Sequence, residues 1–251
     1  LMNVQFAVQA GEIYILEVNP RASRTVPFVS KAIGVPLAKH AARVMNGSTL
    51  AELGAREVRD TGAFAVKESV FPFIKFPGVD VILGPEMRST GEVMGIDRDF
   101  GAAFAKSQLA AGTNLPRAGT VFLSIGDPDK SAILPAARRL AALGFQLLAT
   151  TGTRQLLVDH GLACEHVHKV HEGRPHIVDR MLNGDIHMVI NTIIDSRSMQ
   201  DSFSIRRTAL NQGIPYFTTS ASAEAAAEAI ATLVTTPLEV KTLQEYHAAK
   251  A

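Results

Sequence analysis

Leu1-Met-Asn-Val-Gln-Phe-Ala-Val-Gln-Ala-Gly-Glu-Ile-Tyr-Ile-Leu-Glu-Val-Asn-Pro-Arg21 is the stretch from which this chain is best read outward. Its apolar residues alternate with a period of two. That pattern predicts one strand over Met2–Gln9 and a second over Ile13–Asn19, joined by a three-residue turn, Ala10-Gly11-Glu12, with Gly11 supplying the positive φ. In that register Val4, Phe6 and Val8 face Val18, Leu16 and Tyr14, an apolar side. The other side sets Asn3, Gln5 and Ala7 opposite Asn19, Glu17 and Ile15. Directly opposed residues are close neighbours in an antiparallel pair. Gln5, Glu17 and Asn19 therefore form one group of hard oxygen donors, the chemistry that Mg²⁺ selects. Arg21 and Arg24 follow where the strand ends, placed to meet phosphate oxygens. The same side also reads as the solvated face of an ordinary half-buried hairpin.

Helical patterns come next: Ser23 to Ile33, ended by Gly34, then Leu37 to Met45 after Pro36, with a short turn from Ser48 to Leu53. Ala63 to Ile74 is rich in Val and Phe but contains Pro72, which suits an edge strand. Arg88 to Gly95 reads as a short strand, and Asp99 as the cap of a helix running to Ala111. Gly112-Thr-Asn-Leu-Pro116 has turn composition. The expected organisation is a first domain over 1–112, a linker at 113–116 and a second domain over 117–251.

Beyond the linker the pattern alternates strictly. Strands are expected at Thr120–Ile125, Phe145–Thr150, His187–Thr192 and Pro215–Thr219, and helices at Asp129–Leu143, Arg154–His160, Pro175–Leu182, Met199–Gln212, Ala223–Leu233 and Leu238–Ala249. Apolar strands separated by helices imply an α/β fold, a doubly wound parallel sheet covered on both faces. In such a sheet, ligands bind outside the carboxyl ends of the strands. Those ends carry Ser124, Thr150-Thr151-Gly152-Thr153, Asn191-Thr192 and Thr218-Thr219. Gly152 opens a strand-to-helix turn, where free N–H groups favour an anion. Lys130 stands on the same rim, and Lys169 lies in a loop able to close over it. Together they suit a phosphate monoester with polar contacts left for a ribose. Each hydroxyl taken singly reads equally well as a helix cap.

Composition bounds the function classes. The 251 residues are 47% hydrophobic and 20% charged, with a net charge of +1. That balance gives no electrostatic case for nucleic acid or an anionic membrane, and no apolar run approaches a membrane span. The lone Cys164 excludes an intramolecular disulfide and suits a reducing, cytoplasmic setting. His166, His168, His171 and His176 crowd one stretch, but their spacing fits no tetrahedral zinc template, so they are expected to line the loop around Lys169. Asp127 and Asp195 sit near strand ends as potential acid–base groups. Cys164 lacks a catalytic context.

Gln5, then Glu17-x-Asn19-Pro20-Arg21 with Ser23-Arg24-Thr25 behind it, resembles the metal-binding end of an ATP-grasp domain. The longer run from Asn19 through Lys39 resembles the large subunit of carbamoyl-phosphate synthetase. Thr25-Val26-Pro27-Phe28-Val29 points to its second, C-terminal ATP-grasp half. Leu123-Ser124-Ile125 with Lys130, Ala149-Thr150-Thr151-Gly152-Thr153, His168 to Pro175, and Val189-Ile190-Asn191-Thr192 resemble the methylglyoxal-synthase-like regulatory domain that ends the same subunit. Glu86, in the run Gly84 to Gly91, also matches the family. The chain begins at Leu1 inside what should be a sheet, so a fragment is expected.

The resemblance implies that the intact enzyme makes carbamoyl phosphate from bicarbonate, glutamine-derived ammonia and two ATP, for pyrimidine and arginine biosynthesis. It implies Mg²⁺ or Mn²⁺ held by Gln5, Glu17 and Asn19, ATP contacted by Gln5 and Glu17, and phosphoryl charge met by Arg21 and Arg24. It implies UMP or IMP as effectors at Ser124, Lys130, Thr150, Thr153, Lys169 and Asn191. Ile193 stands where the bacterial pattern has a threonine. Glu68 and Thr218 match two positions of an ornithine site, though Phe217 replaces an acidic residue there. The implied partners are the rest of the large subunit and a glutamine amidotransferase small subunit. The fragment alone is expected to be inactive. An alternative is a stand-alone nucleotide-binding regulatory module without catalysis. A free methylglyoxal synthase is disfavoured, because that family's Gly-Gly-Asp-Gln-Gln motif is absent.

Overall fold

The hairpin forms, with a tighter turn than its sequence suggests. In the computed structural model, which describes residues 1–58, 60–75, 81, 88–192, 199–200 and 202–248, β1 spans Asn3–Gln9 and β2 spans Glu12–Asn19. Gln9 pairs with Glu12, so the loop is two residues, Ala10 and Gly11, with φ of 50° and 84°. Two successive positive φ values match the right-handed strand twist, which is why this turn displaces the expected three-residue one. Asn3↔Asn19, Val4↔Val18 and Gln5↔Glu17 pair as expected. A bulge between Gln5 and Phe6 then shifts the rest, so Phe6 faces Ile15, Ala7 faces Tyr14 and Val8 faces Ile13. The extra residue is Leu16 on β2, across from the Gln5–Phe6 step, a device that kinks and twists a strand pair. Glu86, Ile193 and Asp195 lie outside the described residues.

Contacts divide the chain into two compact units, Leu1–Phe64 with Glu239–Ala251, and Ala65–Leu238. Residues 113–116, read above as the linker, lie within the second of these. The first unit holds the hairpin, α1 (Thr25–Ile33) and α2 (Leu37–Met45). Gly34 ends α1 in the left-handed conformation at φ 73°, the usual role of glycine just past a helix. The last described helix (Leu243–Ala248) belongs to the same unit, and its His247 ring bonds the Lys31 carbonyl at 2.9 Å.

In the second unit, which takes all of β3 (Phe64–Val70) except its first residue, β3 and β4 (Gly91–Asp97) make a two-stranded sheet, followed by α3 (Phe100–Ala110). Asp99 caps α3 as its sequence predicts, accepting from the Ala102 N–H at 2.8 Å. The main sheet is parallel and five-stranded: β5 (Thr120–Ser124), β6 (Gln146–Ala149), β7 (Glu165–His166), β8 (Met188–Asn191) and β9 (Tyr216–Phe217), in the order β7-β6-β5-β8-β9. The two-residue edge strand β7 carried no periodicity that could announce it. The intervening helices are α4 (Lys130–Ala142), α5 (Thr151–Asp159), α6 (Ile177–Leu182), α7 (Phe203–Gln212) and α8 (Ser220–Thr235).

Both faces of this sheet are covered. Val121, Leu123, Leu147, Met188 and Ile190 pack on α4 and α8, while Phe122, Leu148 and Val189 pack on α6 and α7. Successive strand residues thus enter opposite cores, the reason these strands are apolar throughout rather than alternating. α3 packs on α8 through Ala105, Ala229 and Leu233.

Candidate functional site: the carboxyl ends of the parallel sheet

The strand order runs outward in opposite directions from the β5–β8 pair. That reversal leaves a crevice between the connections, where ligands of open α/β sheets bind. A cavity of about 210 Å³ lies there, lined among others by Ser124, Gly126, Thr150, Lys169, Asn191 and Thr192. Ser124 and Asn191 are direct register partners at the ends of β5 and β8, so the sheet itself sets their spacing.

The polar groups at and near the cavity are held by hydrogen bonds. Thr153, almost fully buried, accepts from the Ile125 N–H at 2.9 Å, and Thr192 accepts from the Gly126 N–H at 2.8 Å. These bonds fix the β5 exit, and Thr153, buried and engaged there, is not one of the residues lining the cavity. The Asn191 amide nitrogen donates to the Tyr216 hydroxyl at 2.8 Å. That bond takes one of the two amide N–H groups and fixes the direction of the side chain.

Two lysines supply positive charge. Lys130 opens α4, and its Nζ lies 2.8 Å from an Asp127 oxygen. The Lys130 ammonium, by hydrogen bond and by charge, holds the Asp127 carboxyl below the usual range. An exposed carboxylate kept ionised in this way is a poor proton donor. A Cβ added at Gly152 would meet only the Lys130 Nζ, at 3.6 Å. The space over the α5 N-terminus is therefore open beside a cation, where backbone N–H groups favour anions. Lys169 is exposed and lines the cavity. Its backbone N–H donates to Glu172 at 2.8 Å.

A larger cavity of about 710 Å³ is lined by Phe71, Phe73, Leu210, Ile214, Tyr216 and Thr218 among others. Its lining is mostly apolar. Its guanidinium, on the buried Arg206, donates to the Ser202 hydroxyl and the Met199 carbonyl, each at 2.9 Å. The smaller cavity has the convergent polar groups that recognise a charged ligand. Thr218 borders the larger one. Glu68 accepts from the Gln108 amide at 2.9 Å, and burial pushes its carboxyl up despite that bond.

The hairpin keeps its oxygen donors together. Gln5 stands opposite Glu17, and the Asn19 amide donates to the Glu17 carboxylate at 2.7 Å. One carboxylate and two amide oxygens make a hard donor set that fits Mg²⁺ or Mn²⁺. Arg21 is exposed, its guanidinium donating to the neighbouring Ala22 carbonyl at 3.3 Å; Arg24, also exposed, directly precedes α1. The apolar side chains around this group are uncovered within the described residues, Phe6 at 57% and Leu16 at 65% exposure.

Burial pushes the Cys164 thiol up to about 11, so it is protonated at neutral pH and no nucleophile. His176 is a structural residue, forming with Asp179 the capping box of α6. By spacing alone, the four histidines of this stretch fit no tetrahedral zinc template. The loop folds Glu172 back so that a donor atom of it lies within 4.8 Å of one on His166 and one on His168.

Residues 2–53 match the family described as carbamoyl-phosphate synthase L chain, ATP binding domain, and residues 132–218 match the MGS-like domain family. The chain is 58% identical to a carbamoyl phosphate synthase large chain of Mesorhizobium japonicum, across 99% of this chain and 22% of the relative. The corresponding large chain of Myxococcus xanthus is 57% identical, over 98% of this chain and 23% of the relative. That of Brucella suis is 55% identical, over 98% and 22%. The chain thus spans less than a quarter of the length of the curated relatives it matches. No described helix is long and apolar enough to cross a membrane.

Proposed function

We infer that this chain, homologous along nearly its whole length to part of the carbamoyl phosphate synthase large chains, joins the rim of a carbamate-phosphorylating ATP site to a domain that senses a nucleoside monophosphate. The single observation that carries the sensing reading is the cavity at the β5–β8 reversal, where Ser124, Thr150, Lys169 and Asn191 converge. Its volume suits a phosphate with part of a sugar, so a base would extend past the mouth. Lys130, Lys169 and the α5 N-terminus would meet the phosphate, and Asn191 and Ser124 a ribose. UMP and IMP are the ligands to try.

In the hairpin, Gln5, Glu17 and Asn19 would hold a Mg²⁺ or Mn²⁺ that screens the phosphate charge of ATP. Arg21 and Arg24 would bind phosphoryl oxygens, so this part contributes by positioning and electrostatics. The activity proposed for the whole enzyme is synthesis of carbamoyl phosphate from bicarbonate, ammonia and ATP, with an amidotransferase partner supplying the ammonia. The regulatory reading stands without catalysis, since every cavity residue belongs to one compact unit. An ornithine role for Glu68 and Thr218 would require the ligand to displace the Gln108 amide from Glu68.

Calorimetric titration of the chain with UMP and with IMP tests the sensing reading. Binding of either is expected, and Lys169→Ala should weaken it roughly 10- to 100-fold, the worth of a hydrogen bond to a charged group. Absence of heat at millimolar nucleotide, or unchanged affinity in the variant, would overturn the reading. Within a complete large chain, Glu17→Gln should abolish carbamoyl phosphate formation; normal turnover would remove the metal assignment.

A further inference from the structure

We propose that His166, His168 and Glu172 form a binding site for a late first-row divalent cation of the Zn²⁺ class, separate from the hairpin donors. One donor atom of each residue lies within 4.8 Å of the others. His166 ends β7, and His168 stands two residues on, in a bridge with His176. Residues two apart on an extended segment share a face, and the two imidazoles meet edge to face with centroids 5.0 Å apart.

Glu172 reaches them because the intervening turn is closed twice. Its carboxylate accepts from the Lys169 N–H at 2.8 Å, and its own N–H donates to the Lys169 carbonyl at 3.0 Å. The carboxylate is thus held in place by backbone before any ion arrives. His166 has an outer partner too: its Nε2 lies 3.0 Å from the Thr151 hydroxyl. With Nε2 donating, that bond leaves the Nδ1 lone pair available, the way outer hydrogen bonds orient metal-binding imidazoles. Two imidazoles and one carboxylate are a donor set that Zn²⁺ accepts with a further position left to water. All three side chains are exposed, so an ion has free access. Lys169 lies between His168 and Glu172, so an ion here also fixes the loop that carries a cavity lysine.

The test uses the full chain, stripped with a chelator and titrated with Zn²⁺ against a chromophoric competitor, then with Co²⁺ followed by its visible absorption. One equivalent is expected to bind at micromolar metal, and amide exchange over residues 168–173 should slow. His168→Asn and Glu172→Gln should each lose the tight equivalent. Thr151→Val should weaken it roughly 10-fold, as losses of outer-sphere partners do. Circular dichroism identifies a variant that fails to fold, in which case the remaining two decide. No stoichiometric binding, or binding that survives both ligand substitutions, overturns the proposal.

Discussion

Gly152 shows how a single missing methyl group can matter in opposite directions. It is the second residue of α5, and a Cβ there would touch nothing but the Lys130 ammonium, at 3.6 Å. Gly152→Ala should therefore stabilise the fold by about 0.5–1 kcal/mol, the entropic gain of alanine over glycine in a helix. It should also weaken nucleoside monophosphate binding, since the methyl takes space beside the cation. Thermal unfolding and calorimetry on the same variant separate the two effects, and an unchanged affinity would place the phosphate elsewhere. Glu68 gives a pH signature instead. Burial raises its carboxyl above the ordinary 4.5, against the hydrogen bond from Gln108. A carboxyl raised in the folded state stabilises the fold below its unfolded pKa, and that contribution is lost as pH rises through the folded value. Glu68→Gln keeps an acceptor for Gln108 and removes the charge, so the variant should be the more stable protein at pH 7 and gain nothing at pH 4. Melting curves across that range read the difference.

β4 and α3 illustrate packing that no local pattern announces. A Cβ on Gly95 would overlap the Ala103 carbonyl oxygen and lie 2.5 Å from the Ser107 nitrogen. Both obstacles are helix backbone and cannot turn aside. Gly95→Ala is expected to cost about 3 kcal/mol, the upper part of the overpacking range, measurable as a lower denaturation midpoint. From the sequence, Gly95 was only the end of a strand. The hairpin teaches a related lesson. Its alternation correctly set Gln5 against Glu17 and Asn3 against Asn19, but the bulge beyond Gln5 broke the register of Phe6 and Val8. A bulge depends on how the two strands twist against each other, and period-two counting carries no term for that.

The two compact units should unfold as two transitions in calorimetry. A nucleoside monophosphate at about 100 times its dissociation constant should raise the stability of one of them by about 2.7 kcal/mol. The affected transition should be that of Ala65–Leu238, which contains every cavity residue, with the hairpin unit unmoved. A single transition, or equal shifts in both, would contradict this. The chain's sequence by itself determined the α/β class, four of the five parallel strands, the Asp99 cap and the polar strand ends, because periodicity and capping are local and survive in one dimension. It also carried the runs by which the large-chain relatives are matched. Only the tertiary structure decided that β5 and β8 are neighbours, so that Ser124 and Asn191, 67 positions apart in the chain, become register partners. It alone set the Thr153 hydroxyl on the Ile125 N–H, outside the cavity lining, and folded Glu172 back toward His166 and His168. Strand order and loop closure join residues distant in sequence, and nothing in the spacing of either partner records the other.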